Sequence, residues 1–78
     1  MYWSVKSVKP LADYRLELIF ANAEKRIFDV TPYLDHGLFQ ELRDRRFFDR
    51  AHVDFDSVAW SDRIDLDPEV LYEKSVLA

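Results

Sequence analysis

Residues 14–30 decide the fold, and they read YRLELIFANAEKRIFDV. In the first part of this stretch every second side chain is large and apolar, which is typical of a strand with one buried face. The last part, residues 25–30, repeats that pattern. Between the two, residues 21–24 form a short turn in which Asn22 tolerates a left-handed backbone conformation. Two strands this close in sequence predict an antiparallel hairpin.

A further strand precedes the hairpin, over residues 2–9, where Trp3, Val5 and Val8 are apolar. Pro10 closes it. The apolar face changes between Val5 and Val8, so we expect either a β-bulge or a strand that is buried on both faces.

Two helical segments follow the hairpin. Thr31 and Pro32 provide a cap and a first helical residue for a short turn through Leu34. The segment Leu38–Asp44 then has apolar side chains at its first, second and fifth positions, which predicts a helix with a narrow apolar stripe.

Alternation of apolar and polar side chains over residues 53–60 predicts two more strands, joined near Asp56 and Ser57. A last helix begins after residue 67. The predicted order is strand, strand, strand, helix, strand, strand, helix. That order describes a single α+β domain over residues 1–78, with one small antiparallel sheet.

Four carboxylates lie close together in the last third of the chain, at Asp62, Asp65, Asp67 and Glu69. Oxygen-rich clusters suit Mg²⁺ or Ca²⁺, but the spacing fits no calcium loop, and Pro68 interrupts it. Asp67 is better explained as the N-cap of the last helix, because Pro68 suits the first helical position and Glu69 suits the first turn. We therefore expect no metal site and no cofactor.

Composition narrows the class of protein. Of the 78 residues, 49% are hydrophobic and 15% aromatic, and none is cysteine, which excludes a disulfide scaffold and a thiolate site. A single glycine excludes a glycine-rich phosphate loop. No apolar run approaches the length of a membrane span, and no leader opens the chain, so we expect a soluble cytoplasmic protein.

The net charge of −4 is concentrated at one end of the chain. Residues 54–78 contain seven acidic and two basic side chains, whereas residues 1–34 contain four acidic and five basic ones. Acidic surfaces repel phosphate backbones, so direct binding of nucleic acid is not expected. A basic protein partner would suit the last third of the chain, although acidity that serves only solubility explains the same observation.

Residues 60–72 read WSDRIDLDPEVLY, and this tail resembles the closing signature of a family of short bacterial proteins known as a domain of unknown function. The resemblance extends over nearly the whole chain. Further matching positions are Pro10, Leu16, Leu18, Phe20, Asp29, Val30, Phe39, Leu42, Phe48, Ala51 and Val53. The chain departs from the family at Asn22 and Ala23, where Asp-Gly or Asn-Gly is frequent, and at residues 61–64, where a glycine is frequent.

The resemblance implies a compact α+β fold and little chemistry. Members of the family stand alone, pair with a small neighbouring protein in toxin–antitoxin-like systems, or are fused to a helix-turn-helix domain. No catalytic residues are established for the family, so none is carried over to this chain.

Two other groups of side chains have competing explanations. Arg43, Arg45, Arg46 and Arg50 are interleaved with acidic residues, which favours a salt-bridged, solvated face over a partner-binding patch. The histidines, His36 and His52, would serve a small hydrolase, but no Gly-x-Ser-x-Gly turn accompanies them.

We therefore predict a non-enzymatic protein-interaction module, an antitoxin-like partner in a bacterial two-protein system. Two short helices cannot cover both faces of five strands, which also favours a partner. The candidate partner surface comprises Trp60, Asp65, Asp67, Glu69, Tyr72, Arg43 and Arg46. The alternatives are a self-associating regulatory or ligand-sensing domain, in which the partner is a second copy in a dimer, and the small hydrolase.

Overall fold

The computed structural model describes residues 3–78, so the predicted strand residue Tyr2 lies outside it. The chain forms an α+β fold with two antiparallel sheets, of four and three strands. In chain order the strands and α-helices are β1 (Val5–Leu11), β2 (Arg15–Phe20), β3 (Lys25–Asp29), α1 (Arg45–Phe48), β4 (His52–Asp54), β5 (Ser57–Ser61), β6 (Ile64–Leu66), α2 (Pro68–Lys74) and β7 (Val76–Leu77). Short 3₁₀ segments occupy Ala12–Tyr14, Thr31–Tyr33 and Gly37–Arg43.

The α+β class is confirmed, but the predicted order with a single sheet is wrong. The larger sheet has the order β1-β2-β3-β7, and β4, β5 and β6 form a separate sheet. Two strands were missed because both are very short. β7 has two residues and exists only by pairing with β3, a contact between distant parts of the chain. β6 has three residues, too few to show a period.

The hairpin of β2 and β3 forms as predicted, with Leu16 opposite Phe28 and both side chains fully buried. Its turn differs in one respect. The left-handed residue is Ala23, with φ 72°, and not Asn22. Asn22 contributes its side chain instead, because its Oδ1 accepts a hydrogen bond of 3.1 Å from the main-chain N–H of Glu24.

The first strand contains the predicted bulge, since the register of β1 against β2 shifts between Val5 and Ser7. The prediction that Pro10 ends this strand is wrong, because Pro10 lies within the strand, opposite Leu16. Because β1 is an edge strand, a residue without a main-chain N–H is tolerated there.

The predicted helix over Leu38–Asp44 is a 3₁₀ segment that stops at Arg43. Asp44 has an extended backbone (ψ 112°), and its side chain accepts a 3.0 Å hydrogen bond from the N–H of Arg46. Asp44 is thus the N-cap of α1, and a capping residue lies outside helical geometry. Residues 37–48 therefore form two short helical pieces rather than one continuous helix.

Buried side chains from both sheets and both α-helices form one hydrophobic core. Its largest fully buried members are Trp60, Phe20, Phe28 and Phe48. Each such side chain contributes roughly 1.5–3 kcal/mol relative to an exposed position, which makes these aromatics the main source of stability in a short chain. Among the residues described, no helix has the length and apolar character needed to cross a membrane.

Candidate interaction site

A cleft of about 410 Å³ opens between the start of the 3₁₀ segment Gly37–Arg43 and the turn that joins β5 to β6. We call it the Leu38 cleft. It is lined by His36, Gly37, Leu38, Phe39, Arg63, Ile64 and Asp65. The two chain segments that form it are thus residues 36–39 and residues 63–65.

Tight local turns shape the first wall of the Leu38 cleft. The N–H of His36 donates to the carbonyl oxygen of Tyr33, and the N–H of Phe39 donates to that of His36, both at 3.0 Å. Gly37 has φ 50°, a left-handed conformation that glycine adopts at little cost. Leu38, which follows Gly37, is 40% exposed to solvent although it is an apolar residue.

The second wall comes from β6 and the turn before it. Ile64 is 2% exposed and connects the cleft with the hydrophobic core, while its neighbours Arg63 and Asp65 are exposed. Phe39 lies half-buried on the first wall, with its ring edge-on to that of Trp60 at 6.4 Å. The cleft therefore combines an apolar interior with one cation and one carboxylate at its margin.

Several acidic side chains of the last third of the chain, of which Asp65 lines the Leu38 cleft, have no cationic partner among the described residues. The ion pairs among the described residues join Arg26 with Glu24, Arg43 with Asp35, Arg45 with Asp49 and Arg46 with Asp44. Within residues 3–78, the exposed carboxylates Asp62, Asp65, Glu69 and Glu73 take part in none of these pairs. Their negative charge is available to an approaching cation.

A second depression, of about 450 Å³, lies beside α1 and is lined by Glu41, Asp44, Arg46, Phe47 and Arg50. The Arg46 side chain is 95% exposed, and the Arg50 guanidinium lies 5.6 Å above the Phe47 ring. Arg43 does not line this depression, and its guanidinium pairs with Asp35. The predicted arginine cluster is therefore divided, and most of its members have acidic partners, as the solvated-face interpretation expects.

The residues of the predicted partner surface are dispersed in the structure. Asp65 lines the Leu38 cleft, and Glu69 is exposed in the first turn of α2. Asp67 is the N-cap of α2, as predicted, with its Oδ1 accepting a 2.8 Å hydrogen bond from the Glu69 N–H. Trp60 is 2% exposed and is therefore a core residue, so we leave it out of the proposed surface.

Tyr72 is half-buried and held on several sides. Its ring stacks on that of Trp3, with centroids 3.6 Å apart, and the Arg26 guanidinium lies 4.2 Å from its centroid. Its hydroxyl donates a 2.8 Å hydrogen bond to Glu24. That bond, together with the nearby Arg26, lowers the pKa of Glu24, and the same bond raises the pKa of Tyr72. Tyr72 thus fastens α2 to the hairpin.

The histidines lie apart. His36 is at the Leu38 cleft with Asp65, whereas His52 is exposed on β4 with its Nδ1 3.0 Å from the carbonyl oxygen of Arg50. A histidine and two carboxylates in one cleft would support the small hydrolase. The Leu38 cleft contains a histidine but only one carboxylate, Asp65. Among the described residues, no three histidine or carboxylate side chains converge in a way that could hold a metal ion.

Two exposed apolar residues were not identified from the sequence. The apolar pattern predicts that Leu38 belongs to the apolar stripe of a helix and that Phe55 lies within a strand. Phe55 is 93% exposed at the tip of the β4–β5 hairpin. The signal that could have revealed it is the shortness of the segment between Asp54 and Ser57, which leaves only two residues for the turn.

The comparisons with known proteins identify a family. A sequence profile of the family described as "Protein of unknown function (DUF2442)" matches residues 5–76, and the chain belongs to this family. This confirms the expectation of a domain family of unknown function. No curated protein and no solved structure gave a significant match.

Proposed function

We propose that this member of the DUF2442 family is a non-enzymatic protein-interaction module that binds a basic segment of a partner protein at the Leu38 cleft. One observation carries the proposal: an apolar cleft stays open to solvent and has at its margin Asp65, a carboxylate with no cationic partner among the described residues. Exposed apolar surface with a polar rim is typical of sites where proteins interact.

The chemistry of the cleft defines the partner. An apolar side chain of the partner would cover Leu38 and Phe39, which are 40% exposed and half-buried respectively in the free chain. Such burial stabilises a complex by roughly 25 cal/mol for each Å² removed from water. A lysine or arginine beside that side chain would meet Asp65, and charge complementarity of this kind accelerates association and selects the partner.

The biological setting in this proposal is a bacterial two-protein system of the cytoplasm, in which the chain is the antitoxin-like half. The support is the family resemblance of residues 60–72 together with the acidity of residues 54–78, which suits a basic toxin-like partner.

The experiment begins with the native mass of the tagged chain, purified from its source cells at physiological salt. A protein recovered with it is then produced separately and titrated against three forms of the chain. These are the wild type, Leu38→Glu and the control Leu77→Glu, whose target is 65% exposed and lies outside the cleft on β7.

We expect Leu38→Glu to weaken binding at least about tenfold, as for the loss of an interface anchor, and Leu77→Glu to leave it nearly unchanged. Asp65→Lys should also weaken binding, and the loss of affinity should be larger at low salt than at high salt, because salt screens charges at the rim of an interface. Equal affinities of the wild type and Leu38→Glu would exclude the Leu38 cleft as the binding site.

A self-associating domain is the second candidate function. The specific observation in its favour is the edge strand β7, where Val76 and Leu77 are 64% and 65% exposed. Exposed apolar edge strands pair readily with other chains.

A further inference from the structure

The strand β6 forms an open edge of the smaller sheet. The strand order β4-β5-β6 gives β6 a neighbour on one side only. Residues 63–65, at the start of this edge, line the Leu38 cleft. The cleft therefore adjoins a strand edge, and at such edges a segment of another protein can pair as an additional strand through main-chain hydrogen bonds.

The register of β5 and β6 identifies the main-chain groups that face this edge. Ser61 opposes Ile64 across a two-residue turn, so these two residues exchange their main-chain hydrogen bonds. Because the direction of N–H and C=O groups alternates along a strand, those of the next residue, Asp65, point away from β5. Apart from bonds within helices and strands, no hydrogen bond between main-chain groups of the described residues involves residues 62–66. Asp65 thus has a donor and an acceptor at the open edge.

The side chains of β6 alternate between two different surroundings. Ile64 and Leu66 are 2% and 7% exposed and belong to the hydrophobic core. Asp65, between them, is exposed and therefore lies on the other face of the strand. Phe39, on the first wall of the Leu38 cleft, packs against the same core as Ile64. The apolar wall of the cleft is thus on the core face of β6, and the Asp65 carboxylate is on the opposite face.

An added strand would meet the two faces with alternate side chains. Its residue opposite Asp65 would place its side chain on the face of the carboxylate, where a lysine or arginine fits. The residues before and after it would point toward Phe39 and Leu38, where apolar side chains fit. Arg63 lies in the turn before β6 and outside the ladder that the added strand would form.

From this geometry we infer that the basic segment of the partner binds as an antiparallel β-strand added to β6, with its side chains in the order apolar, basic, apolar. The antiparallel direction gives a single partner residue both main-chain hydrogen bonds of Asp65, and it is the more stable direction of pairing. The inference rests on the proposed function, because it takes the Leu38 cleft as the binding site, and it adds the conformation and the sequence pattern of the bound segment.

The test uses the full chain and a synthetic peptide, Ser-Thr-Val-Lys-Val-Thr-Ser, blocked at both ends. The peptide is titrated into ¹⁵N-labelled protein, and the amide resonances report binding by NMR while their dispersion verifies folding. We expect saturable shifts that include the amide of Asp65. Leu38→Glu should weaken this binding about tenfold, as for the loss of an interface anchor, and Leu77→Glu on β7 should leave it nearly unchanged.

Methylation of single nitrogen atoms in the peptide tests the main-chain hydrogen bonds. In the proposed register the N–H of the lysine points toward β6, and the N–H of each valine points away from it. N-methylation of the lysine should therefore weaken binding about two- to tenfold, the usual effect of losing one hydrogen bond. N-methylation of the second valine is the matched control and should leave the affinity nearly unchanged.

An exchange of charges tests the residue opposite Asp65. The wild type should bind the lysine peptide about two- to fivefold more tightly than the same peptide with glutamate at its centre, as for a cross-strand pair of opposite charges. Asp65→Lys should prefer the glutamate peptide. Asp62→Lys makes the same change of charge at an exposed residue of the turn and should keep the preference of the wild type.

Three results would each overturn the inference: no binding of the lysine peptide at millimolar concentration, equal effects of the two N-methylations, or an unchanged preference in Asp65→Lys. The partner titration tests the proposed function separately. If Leu38→Glu weakens binding of the partner but the peptide results fail, the strand-like mode alone is wrong. If the peptides behave as expected and Leu38→Glu does not affect the partner, the cleft accepts strands and the proposed function alone is wrong.

Discussion

The indole Nε1 of Trp60 donates a 2.9 Å hydrogen bond to the main-chain carbonyl oxygen of Phe48. This bond joins β5 to the end of α1 inside the core, where the two rings lie 6.0 Å apart. The Trp60 ring also meets the edge of Phe39, which lines the Leu38 cleft. The buried tryptophan thus supports the cleft from inside, and only 2% of it is exposed to solvent.

Trp60→Phe removes this hydrogen bond and part of a buried ring. We expect the free energy of unfolding to fall by about 1–3 kcal/mol, the usual range for losing a buried hydrogen bond together with some packing. Urea denaturation followed by circular dichroism measures the change. Trp3→Phe is the matched control, because Trp3 is only half-buried. A loss in Trp60→Phe no greater than in this control would contradict the prediction.

Ala23→Gly should stabilise the protein. Ala23 has φ 72°, where a Cβ atom is unfavourable and glycine is not. After the entropy that glycine costs, we expect a gain of about 0.5–1 kcal/mol, seen as a higher melting temperature. Ala21→Gly, in the same turn but outside the set of positive-φ residues, should instead destabilise. Equal effects of the two substitutions would show that the backbone conformation at residue 23 is not strained.

Phe55→Asn should stabilise the protein by relieving strain in the β4–β5 turn. Asn suits a positive φ better than Phe, and the aromatic ring is 93% exposed, so little packing is lost. We expect the free energy of unfolding to rise by about 0.5–1 kcal/mol, measured by urea denaturation. A decrease would mean that the Phe55 ring stabilises the folded monomer.

Local patterns predicted the parts of the fold that depend on neighbouring residues. The period-two alternation of β2 and β3 and the cap, proline and glutamate at the start of α2 each have their physical cause within a few residues. β7 has a distant cause, because Ile27 opposes Val76 only after the chain has folded. No local pattern could therefore have indicated β7.

The candidate site was predicted only in part for the same reason. Asp65 was identified by its charge, which is a property of the sequence. The exposure of Leu38 depends on the position of residues 63–65, which are distant in sequence. The predicted helix includes Asp44, whereas in the structure Asp44 caps the next helix. Residue type alone does not distinguish these two positions, because aspartate occurs both inside helices and at their caps.

The hydrogen bond from Tyr72 to Glu24 should make stability depend on pH at both ends of the range. This bond lowers the pKa of Glu24 below its ordinary value of 4.5, so its stabilisation is present above that pH and is lost as the pH falls through the folded pKa. The same bond raises the pKa of Tyr72 above 10.0, so its stabilisation is present below that pH and is lost as the pH rises through the folded pKa.

Tyr72→Phe removes the donor and should therefore flatten both limbs of the pH–stability curve. Thermal unfolding between about pH 2 and 12 measures it, a range that includes the ordinary pKa of both groups. We expect the variant to be less stable than the wild type at neutral pH, and the difference to shrink below pH 4.5 and above pH 10.0. Tyr14→Phe is the control for the acid limb. The Tyr14 hydroxyl donates to the main-chain carbonyl of Arg43, which does not titrate, so this variant should lose the same stability at every acidic pH. A Tyr72→Phe curve that ran parallel to the wild type would show that the bond to Glu24 does not couple folding to protonation.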